Sequence, residues 1–122
     1  MKIGIIGAGQ IGGTLVRQYT KAGHQVKVTN ASGIEKLKSL ATETGATAVA
    51  LGEVVTDVDV VVISIPQNAV PNLSKDLFKN VAANIAIIDT GNYYPIRDGE
   101  IEEIENWLWA FRLQPCVHLI TY

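Results

Sequence analysis

A glycine-rich hexapeptide near the start of the chain restricts the possible folds more than any other feature. Its sequence, Gly7-Ala8-Gly9-Gln10-Ile11-Gly12, has the spacing G-x-G-x-x-G. The apolar run Ile3–Ile6 precedes it and is typical of a strand buried on both faces. The segment Ile11–Ala22 follows it, has apolar residues at helical spacing and ends before Gly23, a common residue after a helix. The hexapeptide is therefore predicted to connect a strand to a helix.

A strand-to-helix turn with this spacing predicts a phosphate site. Gly7 permits the tight turn, Gly9 lets a pyrophosphate approach the backbone without meeting a Cβ, and Gly12 lets the helix pack closely on the strand. The backbone N–H groups at the helix start, including those of Gln10 and Ile11, supply donors and a partial positive charge. The alternative is a glycine-rich turn that binds nothing, but the complete strand–turn–helix context favours the phosphate site.

Strands and helices alternate along the rest of the chain. The predicted strands are Gln25–Thr29, a weak strand Ala46–Ala50, a central strand Val58–Ile65 and Ala83–Asp89. The predicted helices are one that opens with a capping box of Ser32 and Glu35, a short turn Gly52–Thr56 and Ala69–Asn80. This alternation predicts a parallel sheet with helices on both faces. The expected fold is a doubly wound α/β Rossmann dinucleotide-binding fold, with residues 1–122 forming a single domain.

The end of the chain is interpreted from its apolar pattern. Asp98 is predicted to cap a helix with an apolar stripe, and Val117–Tyr122 to form a short edge strand; the stripe holds Ile101, Ile104, Leu108 and Phe111. Further large apolar residues lie in the same segment, namely Trp107, Trp109, Leu113, Leu119 and Ile120. Because one helix stripe and one edge strand do not normally bury so many, we expect an exposed apolar patch and a homodimer. The alternative is a monomer in which both tryptophans fold over the sheet.

Composition supports one globular domain and limits the possible partners. The chain has 122 residues, 48% of them hydrophobic and 18% charged, and a formal net charge of -2. This charge provides no basic surface for nucleic acid or an anionic membrane. The single cysteine, Cys116, excludes an internal disulfide and fits a reducing cytoplasm. The apolar run within Met1–Gly7 is too short for a signal peptide, and no stretch approaches the ~20 apolar residues of a membrane span. We therefore expect a cytoplasmic protein that binds neither nucleic acid nor membrane.

The sequence offers neither a metal-ligand set nor an activated nucleophile. His24, Cys116 and His118 do not form a metal site, since only two of them are close in sequence and no carboxylate accompanies them. Ser64 lacks the G-x-S-x-G elbow of serine hydrolases. Asp89 ends a predicted strand, where a carboxylate either serves catalysis or, more often, caps the following turn. We predict no bound metal and assign no catalytic side chain.

The end of the second strand favours NADP(H) over NAD(H). Domains that bind NAD usually place an acidic residue there, which accepts a hydrogen bond from the ribose 2′-hydroxyl. The stretch Thr29–Gly33 has no acidic residue and is neutral and polar, with Asn30, Ala31 and Ser32 at its centre. Asn30 and Ser32 can donate hydrogen bonds to a 2′-phosphate, and Lys36 follows one helical turn later. The stretch has no arginine, the best bidentate phosphate ligand, and Ser32 is also explained as a helix cap.

Several short segments together resemble one oxidoreductase family. They are the glycine-rich loop, Ala22-Gly23-His24, the Thr29–Gly33 turn, Ser64-Ile65-Pro66 and Asp89-Thr90-Gly91-Asn92-Tyr93-Tyr94 with Pro95 after it. The chain is similar over about Met1 to Glu105 to the NADP oxidoreductases that act with the deazaflavin coenzyme F-420 and to their bacterial NADPH-dependent relatives. The cytosolic domain of the transmembrane metalloreductases is also similar. The glycine-rich loop is shared with many dehydrogenases, whereas the Asp89–Tyr94 stretch is more specific.

The resemblance implies direct hydride transfer between NADP(H) and a deazaflavin, flavin or metal acceptor, with little acid–base help from the protein. It places the turn Ile65-Pro66-Gln67 beside the nicotinamide ribose and the turn Thr90-Gly91-Asn92 beside the nicotinamide. Tyr93 and Tyr94 then either line an acceptor pocket or pack over the sheet edge. Relatives commonly carry Ser-Arg where this chain has Ala31-Ser32. They also continue into a helical part that shapes the acceptor site and packs against a second subunit.

Two other functions stay open from the sequence. Residues 106–122 do not align with the family. A divergent end, a truncation or a shifted reading frame would each explain this lack of alignment. A non-catalytic domain that binds or senses NAD(P)H without the acceptor half is therefore the alternative to an enzyme. A NAD-linked dehydrogenase of small hydroxy or amino acids needs an acid–base residue after about position 90, and the sequence shows no convincing one.

Overall fold

A computed structural model of the chain describes residues 1–102 and the backbone of His118–Leu119. The strands are β1 Lys2–Ile6, β2 Gln25–Thr29, β3 Thr47–Ala48, β4 Val60–Ile63, β5 Ala86–Asp89 and β6 His118–Leu119. The α-helices are α1 Gln10–Lys21, α2 Lys38–Thr44, α3 Leu51–Val54 and α4 Pro95–Asp98. Two 3₁₀-helices cover Ile34–Leu37 and Gln67–Asn72.

The strands form one sheet in the order β3-β2-β1-β4-β5-β6. The first five strands along the chain pair in parallel, and β6 pairs antiparallel with β5. Ile3 of β1 is aligned with Val26 on one side and with Val60 on the other. The chain thus builds the sheet outward from β1 in one direction and then returns to build it in the other. This confirms the predicted doubly wound fold and places a crevice at the carboxyl ends of β1 and β4.

Apolar side chains cover both faces of the sheet. Ile5 of β1 and Val62 of β4 belong to one buried cluster, which α1 and α2 complete with Val16 and Leu40. The neighbouring residues Val61 and Ile63 of β4 belong to a second cluster on the opposite face, together with Ile6 and residues of the α3 segment. Successive strand residues point to opposite faces. A strand buried on both sides therefore reads as an unbroken apolar run, as the sequence shows for β1 and β4.

The capping box predicted at Ser32 and Glu35 is wrong. The chain turns at Asn30–Gly33, where the Gly33 N–H donates to the Asn30 carbonyl at 3.4 Å. Gly33 has φ of +90° and immediately precedes the 3₁₀-helix, with no described side chain capping it. Ser32 therefore lies inside a turn and not at a helix start. Glu35 forms a 2.5 Å ion pair with Lys38 instead.

The helix predicted over Ala69–Asn80 is also wrong. A 3₁₀-helix that includes Pro71 covers Gln67–Asn72, and Leu73 after it is extended, with ψ of 136°. The hydroxyl of Ser74 then accepts a hydrogen bond from the Asp76 N–H at 3.2 Å, which starts a separate turn. Such local bonds compete with helix formation. The segment still packs on the core, since Leu73 and Leu77 contact the second cluster.

Asp98 does not cap the start of a long helix as predicted. It is the last residue of the four-residue helix α4, and its carboxylate accepts a hydrogen bond from the Tyr94 N–H at 3.0 Å, at the start of that helix. The apolar stripe beyond Ile101 and both tryptophans lie outside the described residues. His118–Leu119 fall within the edge strand predicted at Val117–Tyr122.

Within the described part of the chain, no helix has the length and apolar character needed to cross a membrane. The same part contains no group of three or more His, Cys, Asp or Glu residues placed to hold a metal ion.

Candidate functional site

The glycine-rich loop lies at the carboxyl end of β1, between the ends of β2 and β4. The Gly7 N–H donates to the carbonyl of Thr29 at 2.8 Å, and Gly7 has φ of +104°. A Cβ on Gly7 would lie 2.1 Å from the carbonyl oxygen of Ser64. Only glycine combines this backbone angle with such a close approach. The loop is therefore held on the tips of three neighbouring strands.

Helix α1 begins at the loop with its amino end open. Gly9 is the N-cap residue and no described side chain caps the helix. The first N–H groups of an α-helix have no partner within the helix, so those near Gln10 and Ile11 are available to a ligand. A Cβ on Gly9 would meet no described atom within 4 Å. The space above Gly9 is thus free for an anionic group, and the helix dipole favours one there.

A cavity of about 320 Å³ opens beside the loop and collects residues from three turns. The first turn follows β1, the second follows β4 and the third follows β5. The lining residues are Gly9, Gln10, Ile11, Ser64, Ile65, Pro66, Thr90, Gly91, Asn92, Tyr94 and Arg97. The structure therefore brings together most of the cofactor-binding residues expected from the sequence. Parallel strands present their carboxyl ends at one edge, which explains why such distant segments meet.

Hydrogen bonds join the turn after β5 to the end of β4. The Thr90 N–H donates to the Ile63 carbonyl at 2.9 Å, and the Thr90 hydroxyl donates to the same oxygen at 3.2 Å. A Cβ on Gly91 would lie 2.6 Å from Oε1 of Gln67. Gln67 does not line the cavity, but its side-chain oxygen lies close to the third turn at Gly91. Asp89 Oδ1 accepts a hydrogen bond from the Gly91 N–H at 2.7 Å, which favours its expected turn-capping role.

The residues expected to recognise the adenosine end lie apart from this cavity, after β2. Asn30 Oδ1 is buried and has no hydrogen-bond partner among the described residues. A buried acceptor without a donor is costly, and a ribose hydroxyl would satisfy it. Ala31, Ser32 and Lys36 are exposed. Lys36 forms no ion pair within residues 1–102, whereas Glu35 is paired with Lys38. The positive charge of Lys36 is therefore available to a phosphate.

Sequence reasoning missed Ser64 and Arg97 as cavity residues. Arg97 donates from Nε to Asp98 Oδ1 at 2.8 Å and from Nη2 to Asp98 Oδ2 at 2.7 Å. The Asp98 side chain is 0% exposed. The hydrogen bonds from Arg97 lower the pKa of the Asp98 carboxyl; burial opposes this shift, and the hydrogen bond from the Tyr94 backbone adds to it. The Arg97–Asp98 pair is thus ionised at neutral pH. The one signal in the sequence that could have indicated Arg97 is its position next to Asp98, shortly after the Asp89–Tyr94 stretch.

Tyr93 and Tyr94 take different positions. The Tyr93 hydroxyl donates to the Gly99 carbonyl at 3.0 Å and accepts from the Ile101 N–H at 3.1 Å, so it stabilises the chain after α4. Tyr94 lines the cavity, and the Arg97 guanidinium carbon lies 5.1 Å from its ring centroid. The sequence left open whether this pair lines a pocket or packs over the sheet edge, and Tyr94 lines the cavity.

A larger cavity, of about 870 Å³, opens at the opposite end of the strands, where their amino ends lie. Its lining includes Lys2, Asp57, Asp59 and Ile85, which lie at the amino ends of β1, β4 and β5. Lys2 Nζ forms a 2.7 Å ion pair with Asp57 there. Ligands of open parallel sheets bind at the carboxyl ends of the strands, so the smaller cavity is the candidate site.

Comparison with solved structures shows the same fold. Arogenate dehydrogenase of Synechocystis matches with a TM-score of 0.68 and 19% identity, over 90% of this chain and 38% of that chain. A hypothetical protein of Sinorhizobium meliloti matches with a TM-score of 0.65 and 24% identity, over 86% and 50% of the two chains. The 3-hydroxyisobutyrate dehydrogenase of Mycobacterium tuberculosis matches with a TM-score of 0.57 and 23% identity, over 74% and 31%. The chain thus spans half or less of the length of these proteins.

No curated protein sequence matches the chain significantly. The family model of the coenzyme F420-dependent NADP oxidoreductases matches residues 2–93, a range that contains the glycine-rich loop and ends within the family-specific stretch after β5. This confirms the resemblance seen in the sequence. The chain belongs to the family of coenzyme F420-dependent NADP oxidoreductases.

Proposed function

We propose that the chain binds NADP(H) in the crevice at the carboxyl ends of β1, β4 and β5, and transfers a hydride between the nicotinamide and a deazaflavin or flavin, from which a metal acceptor would take electrons one at a time. One observation carries this proposal. The open amino end of α1 and the turns after β4 and β5 line one cavity at the carboxyl ends of parallel strands, where open α/β sheets bind their ligands. A site that aligns two redox partners for direct hydride transfer needs position and shape more than acid–base groups.

The residues of the site fit this cofactor. The open amino end of α1 at Gly9 would hold the pyrophosphate through backbone N–H groups. Ile65, Pro66 and Gln67 would flank the nicotinamide ribose, and Thr90, Gly91 and Asn92 would face the nicotinamide. The bound cofactor supplies the hydride. The protein orients the cofactor, and no side chain is assigned a catalytic role.

We propose a preference for NADP(H) over NAD(H). Asn30 and Ser32 offer neutral polar groups after β2, and Lys36 offers a positive charge free of ion pairing among the described residues. Glu35 would repel a 2′-phosphate, but its ion pair with Lys38 offsets much of its charge. Both side chains of this pair are well exposed, so the offset is incomplete.

Titration calorimetry of the full chain with NADPH and NADH tests this preference. We expect tighter binding of NADPH. Asn30→Asp should reverse the preference by roughly tenfold or more, because a carboxylate accepts from a ribose hydroxyl and repels a phosphate. Asn72→Asp, at the end of the 3₁₀-helix after β4, provides a control with the same change of charge. Equal affinities for the two dinucleotides in the unmodified chain would contradict the preference.

Assays of NADPH oxidation with deazaflavin, flavin and ferric acceptors test the transfer itself. Turnover with at least one acceptor is expected. Tight NADPH binding without oxidation by any acceptor would instead support the alternative of a non-catalytic binding or sensing domain.

We also propose a homodimer and a reducing, cytoplasmic compartment. The dimer rests on the apolar sequence of residues 106–122, and the compartment on the single cysteine. Sedimentation at micromolar concentration should show a dimer. A monomer whose two tryptophans are shielded from a quencher would contradict it.

A further inference from the structure

The guanidinium of Arg97 is held in one orientation at the candidate cavity. Its Nε and Nη2 donate to the two oxygens of Asp98 at 2.8 and 2.7 Å, and Nη2 also donates to the Asn92 carbonyl at 2.7 Å. The Asp98 carboxylate is fully buried, whereas the Arg97 side chain is 47% exposed. The buried carboxylate and the Asn92 carbonyl therefore hold Nε and Nη2 of the guanidinium and leave Nη1 outside these bonds.

Two of the donors of Arg97 are not used by the described part of the fold. An arginine carries five N–H groups, and the bonds above use three of them. Both N–H groups of Nη1 have no partner among the described residues. The guanidinium also lies 5.1 Å from the ring of Tyr94, which restricts its movement. The two N–H groups of Nη1 diverge, so they offer a carboxylate or a phosphate one direct hydrogen bond together with the positive charge of the guanidinium.

The position of Arg97 in the sheet indicates which ligand it meets. Arg97 lies in α4, which follows β5, and β5 is separated from β1 by β4. Its Nη2 donates to the Asn92 carbonyl at 2.7 Å, which joins Arg97 to the turn after β5. The proposed function assigns that turn to the nicotinamide end of the site. The nicotinamide ring is neutral when reduced and positively charged when oxidised, so it gives a guanidinium no anionic partner.

We propose that Arg97 recognises an anionic group, a carboxylate or a phosphate, on the electron acceptor. The inference rests on the proposed function, since it assumes that the acceptor approaches the nicotinamide end of this cavity. Asp98 acts as a positioning residue that orients the guanidinium and so presents Nη1 of Arg97. The site would therefore select acceptors whose redox ring carries an anionic side chain over neutral acceptors with the same ring.

Flavins that share one ring test this selectivity. FMN carries a phosphate, carboxymethylflavin carries a carboxylate and riboflavin is neutral. Their dissociation constants are measured by quenching of flavin fluorescence with the full chain, with and without saturating NADP⁺. We expect at least one anionic flavin to bind roughly five- to tenfold more tightly than riboflavin, as a partly exposed charge-assisted pair allows. Comparison of FMN with carboxymethylflavin then identifies the anionic group.

Three variants separate the role of Arg97 from general effects. Arg97→Gln should abolish the preference for the anionic flavin, and Arg97→Lys should retain part of it, because a lysine keeps the charge and loses the orientation that Asp98 gives the guanidinium. Arg17→Gln is the matched control, since Arg17 forms a similar pair with Glu43 on the side of α1 and does not line the cavity. If Arg97→Gln fails to fold, the reduced preference of Arg97→Lys decides the question.

NADPH affinity is titrated in the same variants, so that a fault in the cofactor site is distinguished from loss of acceptor recognition. The proposal is supported if Arg97→Gln loses the preference for the anionic flavin while its NADPH affinity stays within about twofold of the unmodified chain. Equal binding of all three flavins, failure of all three to bind, an unchanged preference in Arg97→Gln, or an equal loss of NADPH affinity would each overturn it. Failure of the unmodified chain to bind NADPH would reject the proposed function, independently of the flavin result.

Discussion

Gly12 lies so close to Gly7 that a Cβ on Gly12 would be 2.0 Å from the Gly7 carbonyl oxygen. The first turn of α1 therefore rests directly on the turn that ends β1. This contact fixes the direction in which the open amino end of α1 points. The geometry of the phosphate loop thus depends on two glycines that need not contact the ligand.

We predict that Gly12→Ala destabilises the protein by roughly 1–3 kcal/mol, because backbone atoms must move to admit the methyl group. Gly13→Ala is the matched control, one residue further along the same helix. Its Cβ would meet the flexible end of Arg17 at 3.4 Å, so higher helix propensity should make it neutral or stabilising by about 0.5–1 kcal/mol. Urea unfolding measures both, and equal effects would show that the close contact is unimportant.

Lys36→Gln should weaken NADPH binding by about two- to fivefold and leave NADH binding nearly unchanged, since only NADPH carries the 2′-phosphate. Lys21→Gln removes one positive charge at the carboxyl end of α1, the end away from the glycine-rich loop, and should change neither affinity. The two dissociation constants are measured by calorimetry at low salt, where surface charges act most strongly. A parallel loss of NADH affinity would remove Lys36 from the 2′-phosphate site.

Asp89 is predicted to cap the turn after β5 and not to transfer protons. Asp89→Asn keeps an oxygen that can accept the Gly91 N–H bond, so it should retain stability, NADPH binding and turnover. Asp89→Ala loses that acceptor and should cost about 1–3 kcal/mol in unfolding free energy. An Asp89→Asn variant that is stable and binds NADPH but does not turn over would show that the carboxylate has a catalytic role.

Stability should depend on the ionisation of Asp98 in acid. Its pKa in the folded chain lies below the ordinary value of 3.8. The stabilising effect is therefore present above pH of about 3.8 and is lost as the pH falls through the lower folded value. Asp98→Asn should be less stable at pH 7, and this deficit should shrink toward pH 2. Urea unfolding at both pH values measures the deficit, and a deficit that is equal at pH 7 and pH 2 would contradict this role of the carboxylate.

Local patterns predicted the sheet well. β2 was predicted and observed at Gln25–Thr29, since a short alternating run between two glycine-containing segments has few other solutions. β4 is shorter than the predicted Val58–Ile65. Val58 is buried in the second cluster but lies outside the strand, because apolar packing extends beyond the strand pairing. Hydrophobicity therefore located the core more accurately than the strand ends.

The errors come from turns and from contacts between distant segments. Gly33 and Ser74 set where the chain turns, and backbone angles at single residues are poorly encoded in apolar periodicity. Arg97 was missed because its role depends on the turn at Asn92 and on the buried carboxylate of Asp98. Periodicity in the sequence does not report which way a side chain faces in a four-residue helix.

Titration of the full chain and of Gly9→Val with NADPH tests the central claim most directly. Gly9 has φ of -71° and no described atom within 4 Å of a Cβ at its position, so a valine is compatible with the fold. Its side chain would fill the space assigned to the pyrophosphate. Gly52→Val, at another open glycine away from the loop, controls for the change of residue. We predict that Gly9→Val stays folded and loses NADPH binding while Gly52→Val keeps it. Normal NADPH binding by a folded Gly9→Val would contradict the assignment of this loop as the phosphate site.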